Sequence, residues 1–196
     1  MPLAASSGHA GPLDARPPVI GEGFHARLRA VTRPSHDEVD TLFGGYDLAD
    51  SASYSRFLTA HATALVPIED WFGRTRLTPT WAGRKEALYA DLAALGLCLP
   101  HFEPLDWARD EPARWGAAYV LEGSRLGGAM LSRTVPDDLP RAYLSSVHAP
   151  GAWRAFLAAL DEHAQAGGPE WEVAAVASAE RVFALYAQAA RLNGAQ

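Results

Sequence analysis

From Leu28 onward, apolar residues recur every three or four positions, the spacing that places side chains on one face of an α-helix. Leu28, Val31, Val39, Leu42 and Phe43 keep this rhythm until Gly44-Gly45 ends it. Pro34 falls inside the run and predicts either a kink or a division into two helices. A second helix is predicted after Asp50-Ser51, a good N-cap pair, with Tyr54, Phe57, Leu58, Leu65 and Ile68 as its apolar stripe and Pro67 as an interruption. The Thr- and Pro-rich "TRLTPTWAG" reads as a loop, and a short helix follows over about 84–95. "LPHFEPLDWARDEP" is a connector. A long helix over 112–133, a turn at "TVPDDLP" and helical pieces over 137–147, 151–166 and 170–192 complete the chain, the last opened by Pro169-Glu170. No strand alternation, internal repeat or second composition regime interrupts this pattern. The prediction is an all-α, single-domain multi-helix bundle over 21–196, preceded by a flexible leader over 1–20.

The helix over 112–133 breaks the usual choice of residues. Within "YVLEGSRLGGAML" (119–131), Gly123, Gly127 and Gly128 stand where alanine would serve, and each interior glycine costs a helix roughly 1 kcal/mol relative to Ala. Two readings are open. Small residues four apart let a neighbouring helix approach closely. Alternatively, glycines let backbone lie directly against a large flat ligand, which accounts better for Gly128 and for Ser124 beside Gly123.

Composition narrows the function classes. The chain has 196 residues, 48% hydrophobic and 20% charged, enough for one real core. The formal net charge of −6, with Lys85 the only lysine, gives no basic footprint for nucleic acid. The single cysteine, Cys98, excludes an intramolecular disulfide framework and suits a reducing cytoplasm. It is expected to be a buried structural thiol. No stretch approaches the roughly 20 apolar residues of a membrane span, so no membrane association is expected. Carboxylate-bridged di-iron bundles use paired Glu-x-x-His motifs, and only Glu22 to His25 has that spacing here. His61 continues the stripe of the second helix and is expected to be a buried, hydrogen-bonded histidine. By its immediate neighbours Asp37 and Glu38, His36 reads as a solvated helix residue.

Two stretches change that picture. "YVLEGSRLGGAML" resembles the distal-helix motif of heme oxygenases, in its bacterial E-G-S-x-L-G-(G/A) form. "LRAVTRPSHDEVDTLF" (28–43) resembles the family's first helix, L-R-x-x-T-x-x-x-H-x-x-x-D/E, whose histidine is the proximal iron ligand. The two lie in the family's order, and the resemblance covers nearly all of the chain from residue 22. It implies a heme-oxygenase-like fold and an oxidoreductase for which heme b is both substrate and cofactor. That enzyme cleaves heme with O2 to biliverdin, carbon monoxide and ferrous iron.

The resemblance also implies roles. His36 would hold the iron, as a neutral imidazole can. Arg29, two turns earlier, would contact a heme propionate. Gly123, Ser124, Gly127 and Gly128 would form the catalytic face across the heme, with Ser124 where animal members carry a carboxylate. Arg154 would be a propionate contact and Phe183 a distal-side aromatic. Arg125 would reach a propionate or lie in solvent, the latter preferred. The sequence has no Gly-rich dinucleotide loop and no cysteine cluster, so electrons would come from an external ferredoxin or flavoprotein reductase. A phytochrome is a candidate acceptor of the biliverdin. The competing class is a non-catalytic heme or biliverdin binder on the same fold, acting as carrier, sensor or pigment chaperone.

Overall fold

The computed structural model describes residues 23–73, 77–78 and 81–194. The leader expected over 1–20, Glu22 and part of the "TRLTPTWAG" loop lie outside the described residues. Six helices follow in order: α1 (Phe24–Val31), α2 (Arg33–Phe43), α3 (Ser51–Phe72), α4 (Lys85–Ala94), α5 (Glu111–Leu131) and α6 (Ala152–Asn193). There is no strand among the described residues, and the fold is all-α as the periodicity predicts.

Pro34 divides the first run rather than kinking it. It sits in the first turn of α2, where a missing N–H costs nothing, and Thr32 forms the joint. The Thr32 hydroxyl donates to the Leu28 carbonyl at 2.9 Å and its backbone N–H donates to the same oxygen. The joint is thereby buried without an orphaned polar group. Asp50 caps α3 by accepting from the Ser53 amide at 2.7 Å, and Asp110 caps α5 by accepting from Ala113 at 2.9 Å.

Pro67 does not interrupt α3, which runs through it. Proline inside a helix costs about 3 kcal/mol. Leu65, Val66 and Ile68 around it are fully buried, and each such side chain contributes roughly 1.5–3 kcal/mol, so packing outweighs the lost hydrogen bond.

The long α6 is the spine on which α1, α2, α3 and α5 all pack. It is two helical arms joined at Gly168, whose φ of 75° and ψ of −167° suit glycine alone. The break falls where the sequence separates its last two helical pieces. Helix α5 crosses the second arm at Gly116, where a Cβ would lie 2.0 Å from the Ala175 carbonyl oxygen. The Ser178 hydroxyl fastens the same crossing by donating to the Ala113 carbonyl at 2.7 Å.

Two further expectations are corrected. Residues 137–147 form turns, not a helix. Pro136 and Pro140 remove donors there, and the Asp91 carboxylate takes the Ala142 and Tyr143 amides at 2.9 and 2.8 Å in place of helical carbonyls. Cys98 is exposed, because the connector after α4 runs over the surface.

Candidate heme site

The two helices singled out by sequence attach to the spine separately and make no extensive contact with each other. Helix α2 is tied to the second arm of α6 by pairs from Ser35 to Glu180 and from Arg191 to Glu38. Between them stands His36, its side chain 54% exposed. Its Nδ1 lies 3.3 Å from an Asp40 carboxylate oxygen one turn on, and Asp37 is 3.7 Å away. With Nδ1 turned to these carboxylates, Nε2 is the nitrogen left for a metal. A carboxylate behind a histidine fixes its tautomer and raises its strength as a metal donor.

Phe183 meets the His36 ring edge-on, with centroids 5.9 Å apart and planes at 70°. The resemblance places this aromatic across the ligand from His36. The structure puts it beside His36, because the second arm of α6 carries Phe183 under α2. Arg29 is exposed on α1, and its charge is felt by the Tyr119 phenol of α5, whose pKa burial raises and Arg29 opposes. Arg154 is exposed in the first turn of α6.

The three glycines of α5 differ in what surrounds them. A Cβ on Gly127 would meet nothing within 4 Å, so no helix packs there. On Gly123 it would make an ordinary 3.7 Å contact with the Trp153 indole. On Gly128 it would come within 3.3 Å of the Leu144 carbonyl oxygen, a close approach between α5 and the 137–147 turns. Open face and packed back therefore alternate along one turn. The open side continues in exposed apolar residues, with Leu126 at 50% and Met130 at 71%.

Behind α5 lies a polar layer that the sequence does not announce. Arg84 is 3% exposed, and its Nη2 donates to the Leu121 carbonyl at 3.0 Å and to the Ser124 hydroxyl at 2.7 Å. Ser124 itself donates to Leu121 at 2.8 Å, so its hydroxyl is engaged toward the interior. The Arg84 guanidinium also sits 5.0 Å from the centroid of the Tyr143 ring. Arg125, expected in solvent or at a propionate, is instead 8% exposed and spent on the protein. Its Nε donates to Glu122 at 2.8 Å, its Nη1 to the Ser146 carbonyl at 3.1 Å, and its Nη2 to the Ala82 carbonyl.

His61 is caged by Phe43, Phe57, Tyr143 and Tyr186, with the nearest centroid, Phe57, at 4.4 Å. Its Nδ1 is 2.9 Å from the Tyr143 hydroxyl. Burial, with the Arg84 charge second, pushes its pKa down to about 3, so it is neutral at physiological pH. No local pattern marked Arg84, Tyr143 or His148 in the sequence. They reach the site from a loop and from turns whose course is not written in periodicity.

These features define a class: an all-α protein whose spine holds a histidine-bearing helix and a glycine-bearing helix at separate contacts. No family model matches the chain. It is similar to a heme oxygenase of Xanthomonas campestris pv. campestris (strain 8004), 30% identical over 152 residues, which span 69% of this chain and 87% of that protein. It also resembles the solved structure of the NO- and CO-bound heme oxygenase of Neisseria meningitidis, with TM-score 0.73 and 25% identity over 87% of this chain and 92% of that one. The chain belongs to the heme oxygenase family.

Proposed function

We propose that this protein cleaves heme to biliverdin, releasing carbon monoxide and ferrous iron, with O2 and externally supplied electrons. The observation that carries the reading is His36: a partly exposed imidazole whose Nδ1 lies 3.3 Å from the Asp40 carboxylate. The residues fit the group. A partly exposed imidazole, an open glycine face at Gly127 and exposed apolar Leu126 and Met130 suit a flat, largely apolar macrocycle with a metal at its centre.

Heme, when bound, supplies both the iron that activates dioxygen and the porphyrin that is cut. His36 would hold it from one side, with the Asp40 carboxylate 3.3 Å from its Nδ1. Arg29, beside Tyr119, would take a propionate in two-pronged fashion. On the other side Gly127 would let the α5 backbone approach without a side chain between. Ser124 has one lone pair left after its bonds to Arg84 and Leu121, enough to accept from an ordered water. None of these groups is a strong acid, and His61 is held neutral. Water can thus be ordered here without an acidic proton delivered early.

The electron donor is an external protein of the ferredoxin or flavoprotein reductase class. Among the described residues no helix is long and apolar enough to cross a membrane. The test mixes purified protein with hemin and adds a ferredoxin/reductase pair or ascorbate under air. Loss of the Soret band with growth of a broad red absorption is expected. A stable Soret band would favour the heme- or biliverdin-binding alternative, and turnover with NADPH alone would contradict the external donor.

A further inference from the structure

The glutamate of the E-G-S motif has no task in the chemistry above, yet it is among the most buried charges of the molecule. Glu122 is 6% exposed on the back of α5. One carboxylate oxygen accepts from Arg125 Nε at 2.8 Å and the other lies 2.9 Å from His148 Nε2. Burying a carboxylate is costly unless it is paired and fully hydrogen-bonded. Here both oxygens are satisfied by groups that anchor α5 to the rest of the protein.

His148 Nδ1 is buried and has no hydrogen-bond partner among the described residues. With Nε2 carrying a proton, the ring donates to the Glu122 carboxylate. The His148 ring stacks on Trp153 with planes at 28° and centroids 5.7 Å apart. Trp153 in turn is the nearest neighbour of any side chain at Gly123. Arg125 extends the other way, to the Ser146 and Ala82 carbonyls. One carboxylate therefore fixes both the turns that back Gly128 and the indole that backs Gly123.

We propose that Glu122 is a positioning residue: through its hydrogen bond from His148 and its pair with Arg125, it sets how far the glycine face of α5 stands over the heme. The proposal rests on the heme oxygenase reading. A glycine-bearing helix has little stiffness of its own, and a placement error of about 1 Å in an active site can cost about a hundredfold in rate. A rigid buried support compensates for that.

Two substitutions at His148 separate positioning from mere stability. His148→Gln keeps a donor near Nε2, whereas His148→Phe keeps the stacking ring and loses the donor. The hydrogen bond is decisive if Phe shifts the site and Gln does not. Glu122→Gln is the companion variant and is expected to lose thermal stability as well, since Arg125 is then uncompensated. The readouts are the distribution of biliverdin isomers and, independent of turnover, the pH midpoint of the ferric-heme spectral change together with hydrogen exchange of the 122–131 amides without heme. His148→Phe is expected to raise the minor isomer about twofold or lower turnover about tenfold, with faster exchange along the helix. His148→Gln stays near wild type. Unchanged isomers, midpoint and exchange in folded His148→Phe would overturn the proposal. If wild-type protein forms no biliverdin while midpoint and exchange still respond, the functional reading fails and the positioning role stands.

Discussion

At the scale of single residues, His36 and His61 look alike in composition and opposite in circumstance. His36 is exposed and oriented by carboxylates; His61 is caged by aromatic rings and bonded to Tyr143. His36→Ala is expected to abolish the axial-histidine heme spectrum, while His61→Ala leaves that ligation intact. A wild-type spectrum in the His36 variant would remove the ligand assignment. Gly127 and Gly128 make a second contrast. Gly127→Ala adds a methyl into open space, so it folds normally and gains up to roughly 1 kcal/mol of helix stability. It should nevertheless lose biliverdin yield or change the isomer formed. Gly128→Ala presses on the Leu144 carbonyl and is expected to gain nothing, or to lose about 1 kcal/mol. Thermal melts beside product analysis distinguish the two. A destabilised Gly127→Ala with unchanged product would end the heme-contact reading of that residue.

At the scale of elements, the glycine that does pack helices is Gly116. A methyl there would meet the Ala175 carbonyl at 2.0 Å, so α5 and α6 must separate. Gly116→Ala is expected to cost 2 kcal/mol or more, roughly, in urea unfolding, since overpacking typically costs about 1–3 kcal/mol and this contact is backbone on backbone. Gly168→Ala acts by another route. Space is free around it, but its positive φ with extended ψ is strained for any side chain, at about 1–3 kcal/mol. Loss in both variants without change in the isomer formed would place them in the scaffold.

At the scale of the whole molecule, the polar layer beneath α5 links stability to pH. His61 is neutral when folded, with a pKa of about 3, but takes a proton near 6.5 once unfolded. Above pH 7 it contributes nothing to the pH dependence. As pH falls below 6.5 the unfolded state binds the extra proton, and stability drops by at most about 1.4 kcal/mol per pH unit until about pH 3. Wild type should therefore lose up to roughly 2 kcal/mol more than His61→Gln between pH 7.5 and pH 5. Equal losses in parallel denaturant titrations would show that His61 is protonated within the folded protein.

The all-α class, the six helical stretches and the two motif-bearing helices were legible in the chain, because an amphipathic helix writes its period, caps and breakers locally. Asp50, Asp110, Pro34 and Gly44 act within a turn of where they stand. The motifs that led to His36 and to Gly123, Ser124, Gly127 and Gly128 are likewise contiguous stretches. Tertiary structure decided the rest. It carried α3 through Pro67 by burial and denied a helix to 137–147 because Asp91, some fifty residues away, claims its amides. It also turned Arg125 inward and set Phe183 beside His36. It chose which glycine packs and which stays open, since that depends on what another segment brings opposite. Local hydrogen bonds and period are properties of neighbours in sequence; burial, pairing and free space are properties of neighbours in space.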